Sequence, residues 1–333
     1  MSFSSLGLSS HLLHALAKQH YTDPYPIQKE AIPAILSGKD VLGVAPTGSG
    51  KTASFALPIL QQFQKKPVAK NRFIKALILV PTRELAVQVG DVFTMFAAQL
   101  PRAVKILSVF GGVSINTQMI HLQGVELLVA TPGRLLDLID SKALNISEID
   151  ILVIDEADKM LNLGFKAEMT SIFSLLPIQR QNLLFSATLG KEINTITEIL
   201  LQNPVKIEVK EDLKHIDLIQ QIAYDVAEER KGPMLRYLIQ EKNMQQVLVF
   251  TSSIHRADAV VEKLKTHGIS AAAMHSKKSQ GARTDALKNF KLGAVKVLVA
   301  TDLASKIVGE ALDDQVRQSR IVDRFLSDME KSK

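Results

Sequence analysis

Hydrophobic positions along the chain fall into two alternating patterns. Short apolar runs occupy residues 40–44, 74–80, 104–110, 126–130, 149–154, 182–185 and 205–209. Each is strand-length and rich in Val, Ile or Leu, as expected of strands covered on both faces. Between them lie stretches with helical spacing. Leu8, Leu12, Leu13, Leu16 and Ala17 predict a helix over 8–20, with Ser9 or Ser10 as its N-cap. Pro24 and Pro26 pin an extended turn, and a helix over 28–36 follows. Phe55, Leu57, Ile59, Leu60 and Phe63 predict another over 53–63.

Residues 210–217 are charged, lack periodicity and read as a linker. The alternation then resumes, with strands at 246–250, 271–274 and 295–300 and a helix carrying Ala257, Val260, Val261 and Leu264. From about residue 310 the chain reads as one polar helix, with Val322, Phe325, Leu326 and Met329 forming a narrow apolar stripe. Strand–helix alternation of this kind predicts an α/β fold: two lobes, residues 1–209 and 218–333, each with a parallel sheet flanked by helices.

Composition narrows the compartment more than the function. The 333 residues include no cysteine, which fits a reducing environment, and 46% are hydrophobic, as in ordinary globular lobes. Met1 to Leu6 lacks the basic start and apolar core of a secretory signal, and no apolar run reaches the ~18 residues of a membrane span. The expectation is a soluble cytoplasmic protein with no membrane partner. A net charge of +6 permits nucleic-acid binding. With no Trp and four Tyr, such binding would rest on backbone contacts more than on aromatic platforms.

The candidate chemistry sits where apolar runs end. Ala45-Pro46-Thr47-Gly48-Ser49-Gly50-Lys51-Thr52 joins a strand to a helix. Gly48 and Gly50 let the backbone curl, so that N–H groups and the helix N-terminus point at phosphate oxygens. Thr47, Gly48, Ser49 and Gly50 would cradle the phosphates, Lys51 would reach the β/γ-phosphates, and the Thr52 hydroxyl would hold Mg²⁺. The run 149–154 ends at Asp155-Glu156-Ala157-Asp158. Carboxylates at the tip of a buried strand are costly unless they serve an ion or partner, so Asp155 reads as a Mg²⁺ ligand and Glu156 as the group orienting and deprotonating water. Gln28 carries the donor and acceptor needed to read an adenine edge. Three further runs end at Pro81-Thr82-Arg83, Gly111-Gly112 and Thr131-Pro132-Gly133-Arg134, groups suited to a phosphodiester chain. In the second lobe, Gln280 and Arg283 lie i,i+3 and can face one ligand.

In this order the series resembles the DEAD-box RNA helicases, in particular the bacterial RhlE-like group. The resemblance runs from Phe3 to about residue 305, through Tyr21 to Gln28, Ala45 to Thr52, Pro81 to Ala86, Gly111-Gly112, Thr131 to Arg134, Asp155 to Asp158, Ser186-Ala187-Thr188, Thr251, Gln280 with Arg283, and Thr301-Asp302. It implies two RecA-like P-loop lobes with ATP and RNA bound across their cleft. By motif match, Tyr21 would stack on adenine and Gln28 would read its edge. Lys51, Thr52 and Asp155 would hold phosphates and Mg²⁺, Glu156 would position water, and Ser186 and Thr188 would couple nucleotide state to lobe closure. Arg83, Gly112, Thr131 and Arg134 would grip the RNA backbone from the first lobe, and Arg283 and Thr301 from the second. Contacts to 2′-hydroxyls would favour RNA over DNA.

The match stops after Ser305, where the family continues Arg-Gly-x-Asp and this chain reads Lys306-Ile307-Val308-Gly309. In the 31 residues after Asp302 nothing resembles the H-R-I-G-R-x-G-R segment that supplies the family's arginine fingers. Such a finger is worth ~10³–10⁵ in rate in related phosphoryl-transfer enzymes. The expectation is therefore an incomplete second lobe with an altered or spliced terminus. Beside an active helicase stands the alternative of a hydrolysis-deficient remnant that binds ATP and RNA without turnover.

Overall fold

The computed structural model describes residues 2–65, 73–209 and 222–301. The expected linker at 210–217, Asp302 and the expected terminal helix lie outside them. The chain divides into two compact units, residues 1–211 and 212–333.

In the first unit a short 3₁₀ turn (Phe3–Leu6) leads into α1 (Ser10–Lys18) and α2 (Pro26–Leu36). Strands and helices then alternate: β1 (Val41–Val44), α3 (Lys51–Lys65), β2 (Ala76–Leu79), α4 (Arg83–Ala97), β3 (Ile106–Val109), α5 (Ile115–His121), β4 (Leu127–Ala130) and α6 (Pro132–Asp140). They continue with β5 (Ile151–Ile154), α7 (Ala157–Asn162), α8 (Lys166–Leu175), β6 (Gln181–Ser186), α9 (Lys191–Leu200) and β7 (Val205–Glu208). The strands form one seven-stranded sheet in the order β3-β4-β2-β5-β6-β1-β7, every pairing parallel. All strand ends that carry candidate chemistry therefore open onto the same edge.

Alternate residues of the strands serve opposite faces, which is why β2, β4 and β5, buried throughout, are continuously apolar, whereas edge strand β7 alternates Val205 and Ile207 with the exposed Lys206 and Glu208. Ala76, Ile78, Ile151, Val153, Leu183 and Phe185 pack with Phe55 and Phe93 on one side. Leu77, Leu79, Leu152, Ile154 and Leu184 pack with Leu135, Met160 and Ile172 on the other. Gly43 of β1 is required by this packing: a Cβ there would come within 2.6 Å of the Phe185 ring.

Element ends differ from expectation for identifiable reasons. α2 starts at Pro26 rather than residue 28, because proline suits the first helical turn. Ser9 occupies the N-cap of α1 but makes no side-chain cap bond. Instead its backbone N–H donates to Gln61 Oε1 (2.6 Å), and Gln61 Nε2 donates to Gly7 O (2.7 Å). The strands of this sheet are one to three residues shorter than their apolar runs except β6, which is longer, since Ser186 pairs with Val44. At the edge opposite the candidate chemistry, the buried Asp40 carboxylate accepts from the backbone N–H groups of Asn182 and Gln202, both at 2.8 Å.

The second unit contains a 3₁₀ turn (Glu228–Arg230), α10 (Lys231–Glu241), β8 (Val247–Thr251), α11 (Ile254–Thr266), β9 (Ala271–Met274), α12 (Gln280–Lys291) and β10 (Val297–Thr301). Its three described strands are parallel in the order β8-β10-β9. Leu235 and Leu264 cover one face and Phe290 the other.

Asp40 joins β1, β6 and the turn before β7. Asp40→Ala leaves the buried Asn182 N–H without an acceptor and hands the exposed Gln202 N–H to water, and is expected to lower stability by about 1–3 kcal/mol in urea titration.

Candidate nucleotide and nucleic-acid site

The sheet order sorts the candidate residues into two neighbouring groups. The tips of β5, β6 and β1 carry Asp155-Glu156, Ser186 to Thr188 and the 45–52 loop. The tips of β3, β4 and β2 carry Gly111-Gly112, Thr131 to Arg134 and Thr82-Arg83.

In the first group the loop curls back on itself. Gly48 and Gly50 have φ of +79° and +83°. Lys51 opens α3 with its ammonium turned into the loop, donating to the carbonyls of Ala45 (2.6 Å) and Pro46 (3.2 Å). Gly50 has no room for a side chain, because a Cβ would run into Gln28 Nε2. Gln28 is fully buried; its Oε1 accepts from Tyr25 N (2.9 Å) and its Nε2 donates to Gly50 O (3.1 Å). The amide expected to read a base ties α2 to the 45–52 loop. Tyr21 is half-buried, meeting Phe96 edge-on at 5.7 Å and Phe3 at 6.4 Å between centroids. Thr47 is exposed and Thr52 half-buried, while Ser49 Oγ is buried without a hydrogen-bond partner.

Asp155 is 2% exposed and accepts from Glu156 N at 3.0 Å. Burial, and next the neighbouring Glu156 charge, push its carboxyl up to about 7, against the pull of Lys51. Burial likewise raises Glu156, opposed mainly by Lys159, and lowers the Lys51 ammonium, opposed mainly by Asp155. Glu156 has φ +55°, in the left-handed region. Its Oε1 accepts from Lys159 Nζ (2.9 Å), and its Oε2 is buried with no hydrogen-bond partner. Ser186 Oγ donates to Thr188 O (2.8 Å), and Thr188 Oγ1 bonds Asp158 Oδ2 (3.1 Å), linking the β6 tip to α7. The roles of Asp158 and Lys159 escaped the sequence reading, although Asp158 stands in the acidic run. Orphaned polar atoms at Ser49 and Glu156, a buried lysine and curled glycines fit a polyanion with its counter-ion.

In the second group Arg83 lies against Gly111 and Gly112, whose φ is +81°; a Cβ on Gly112 would overlap the guanidinium. Arg134 is buried, with Nη2 donating to Val113 O (2.9 Å) and Nε to Asp137 Oδ2 (3.3 Å). Thr131, also buried, precedes α6, and its backbone N–H donates to Val109 O (3.2 Å). Gln118 of α5, not singled out by the sequence, donates from Nε2 to Phe110 O (3.0 Å).

In the second unit, Thr301 pairs in register with Thr251 at the ends of β10 and β8. Arg283 is buried on α12, one turn beyond Gln280. Below that turn the buried His275 bonds Asp258 through Nε2 (3.1 Å), and Lys278 reaches the same carboxylate (3.0 Å). This trio was also absent from the sequence reading.

The DEAD/DEAH box helicase family pattern matches residues 25–196, and that of the helicase conserved C-terminal domain matches residues 230–306. The chain belongs to the DEAD/DEAH box helicase family. It is 39% identical over 307 residues to the DEAD-box ATP-dependent RNA helicase CshA of Streptococcus pneumoniae serotype 4, spanning 92% of this chain and 57% of that relative. CshA of Bacillus subtilis is 37% identical, spanning 92% and 61%. The chain therefore spans about three-fifths of the length of these relatives. Among solved structures, a DEAD box protein from Methanococcus jannaschii is 33% identical, covering 91% of this chain and 80% of its own at a TM-score of 0.59. Saccharomyces cerevisiae Dbp5 bound to RNA and ADP-BeF3 is 27% identical, covering 90% and 75% at a TM-score of 0.78. Among the described residues no helix is long and apolar enough to cross a membrane.

Asp155 gives this helicase-family chain a pH signature. Its carboxyl, ordinarily near 3.8, is raised to about 7, so the nucleotide-free folded state binds more protons than the unfolded state between these values. Stability must fall as pH rises through that window. Asp155→Asn removes the cost of a buried charge and is expected to raise nucleotide-free stability by roughly 1–3 kcal/mol at pH 8, with the gain vanishing near pH 4. Denaturant titration at the two pH values checks this.

Proposed function

We propose that the chain is an ATP-dependent RNA helicase, coupling ATP binding and hydrolysis to RNA binding and local duplex unwinding. The observation that carries this reading is the cluster of Lys51, Asp155, Glu156, Ser186 and Thr188 on three adjacent strand tips, with Lys51 electrostatically tied to Asp155. Lys51 exchanges the carbonyls of Ala45 and Pro46 for β/γ-phosphate oxygens. Thr47 to Gly50 wrap the phosphates with backbone N–H groups. Thr52 and Asp155 would hold Mg²⁺, which would neutralise charge on the phosphates. Glu156 Oε2 accepts a hydrogen bond from the attacking water, and Lys159 steadies the same carboxylate. Tyr21 supports the adenine face, and Gln28 offers its remaining N–H and lone pair to the adenine edge. Through Thr188 and Asp158, the β6 tip senses the state of the acidic strand end.

Arg83, Gly112, Thr131 and Arg134 receive the RNA backbone in the first unit, and Arg283 and Thr301 in the second. The relatives' names as ATP-dependent RNA helicases and the RNA and ADP-BeF3 in the Dbp5 structure support both ligands. The absence of cysteine supports work in the reducing cytoplasm.

Steady-state turnover with and without RNA separates this reading from a chain that binds ATP and RNA without hydrolysis. Turnover that rises with RNA is expected; none at saturating ATP and RNA overturns the enzymatic half. Lys51→Ala is expected to weaken binding of a fluorescent ATP analogue about tenfold to a hundredfold. Glu156→Gln should retain nucleotide binding while losing about 10²–10⁴ in turnover.

A further inference from the structure

The loop from Phe110 to Val113 is held at both ends by side chains from different helices. Gln118, 7% exposed, anchors the first residue through its bond to Phe110 O, and its Oε1 is buried with no hydrogen-bond partner. Arg134 anchors the last through Val113 O, and its Nη1 is likewise buried without a partner. The two middle residues are glycines, one with positive φ, and the Arg83 guanidinium rests on them.

We propose that Gln118 is a positioning residue for nucleic-acid binding, which rests on the RNA reading above. It fixes the Phe110 carbonyl so that the Gly111-Gly112 backbone and the Arg83 fork are presented together to a phosphodiester. A two-glycine loop has more backbone freedom than any other dipeptide, and ordering it only when RNA arrives opposes binding. Anchoring it beforehand removes that cost. A buried amide with one end unsatisfied is unfavourable in itself, and the bond to the Phe110 carbonyl is what offsets that cost here. Arg134 completes the clamp from the other side, which makes Gln118 the member of the pair that acts only through the loop.

The test uses the full chain with Gln118→Met and Gln118→Glu, both of which keep side-chain length and delete the N–H donor. Binding of a short fluorescent oligouridylate is measured by anisotropy with a non-hydrolysable ATP analogue present, together with affinity for a fluorescent ATP analogue and amide exchange at residues 110–113. RNA affinity is expected to drop about five- to thirtyfold, nucleotide affinity to stay within about twofold, and exchange in the loop to quicken. A folded variant with RNA affinity within about twofold of the parent overturns the proposal. So does a parallel loss of RNA and nucleotide affinity, which marks a merely structural residue. If one variant does not fold, the other decides. An unaltered chain that binds no RNA overturns the RNA reading itself, and this inference with it.

Discussion

Placing an ammonium and two carboxylates in a water-poor notch is the constraint around which the first unit is built. Lys51, Asp155 and Glu156 are all buried, and desolvation works against the charged form of each. They survive together because each offsets part of the others' cost, and because carbonyls, a backbone N–H and Lys159 take up bonds that water would otherwise make. Such a site can exist only where backbone from separate elements converges, and the shared carboxyl edge of a parallel sheet provides that.

The same edge gives one lobe room for the two ligands proposed above. Strand order places the phosphate loop, the acidic tip and the Ser186 turn on three consecutive strands. The arginine- and glycine-bearing tips lie on β3, β4 and β2, with β2 and β5 as the contact between the groups and β7 outside both. Every strand across this boundary is buried on both faces, so neither group can shift independently of the core beneath it.

Much of this was legible in the chain itself. Apolar runs marked the described strands, most plainly β1, β2, β4 and β5, where every residue is buried, and the motif residues marked the candidate site because glycine, lysine and paired carboxylates have few other reasons to follow such runs. What stayed hidden were bonds to backbone carbonyls. Lys51 to Ala45, Gln118 to Phe110 and Arg134 to Val113 depend on where a carbonyl points, and residue identity says nothing about that. Ser9 shows the same limit: it looked like a helix cap, but its N–H is taken by Gln61 from 52 residues away. Gln28 shows the converse, since an amide chosen by sequence for its donor and acceptor already uses one of each inside the protein.

The left-handed backbone at Glu156 carries one more implication. Side chains with a Cβ are uncomfortable there, and glycine would relax the turn. Efforts to harden the fold by relieving local strain would accordingly be drawn to this very position. They would arrive at a sturdier molecule stripped of the carboxylate proposed above to face the attacking water, because here conformational comfort and chemical usefulness select opposite residues.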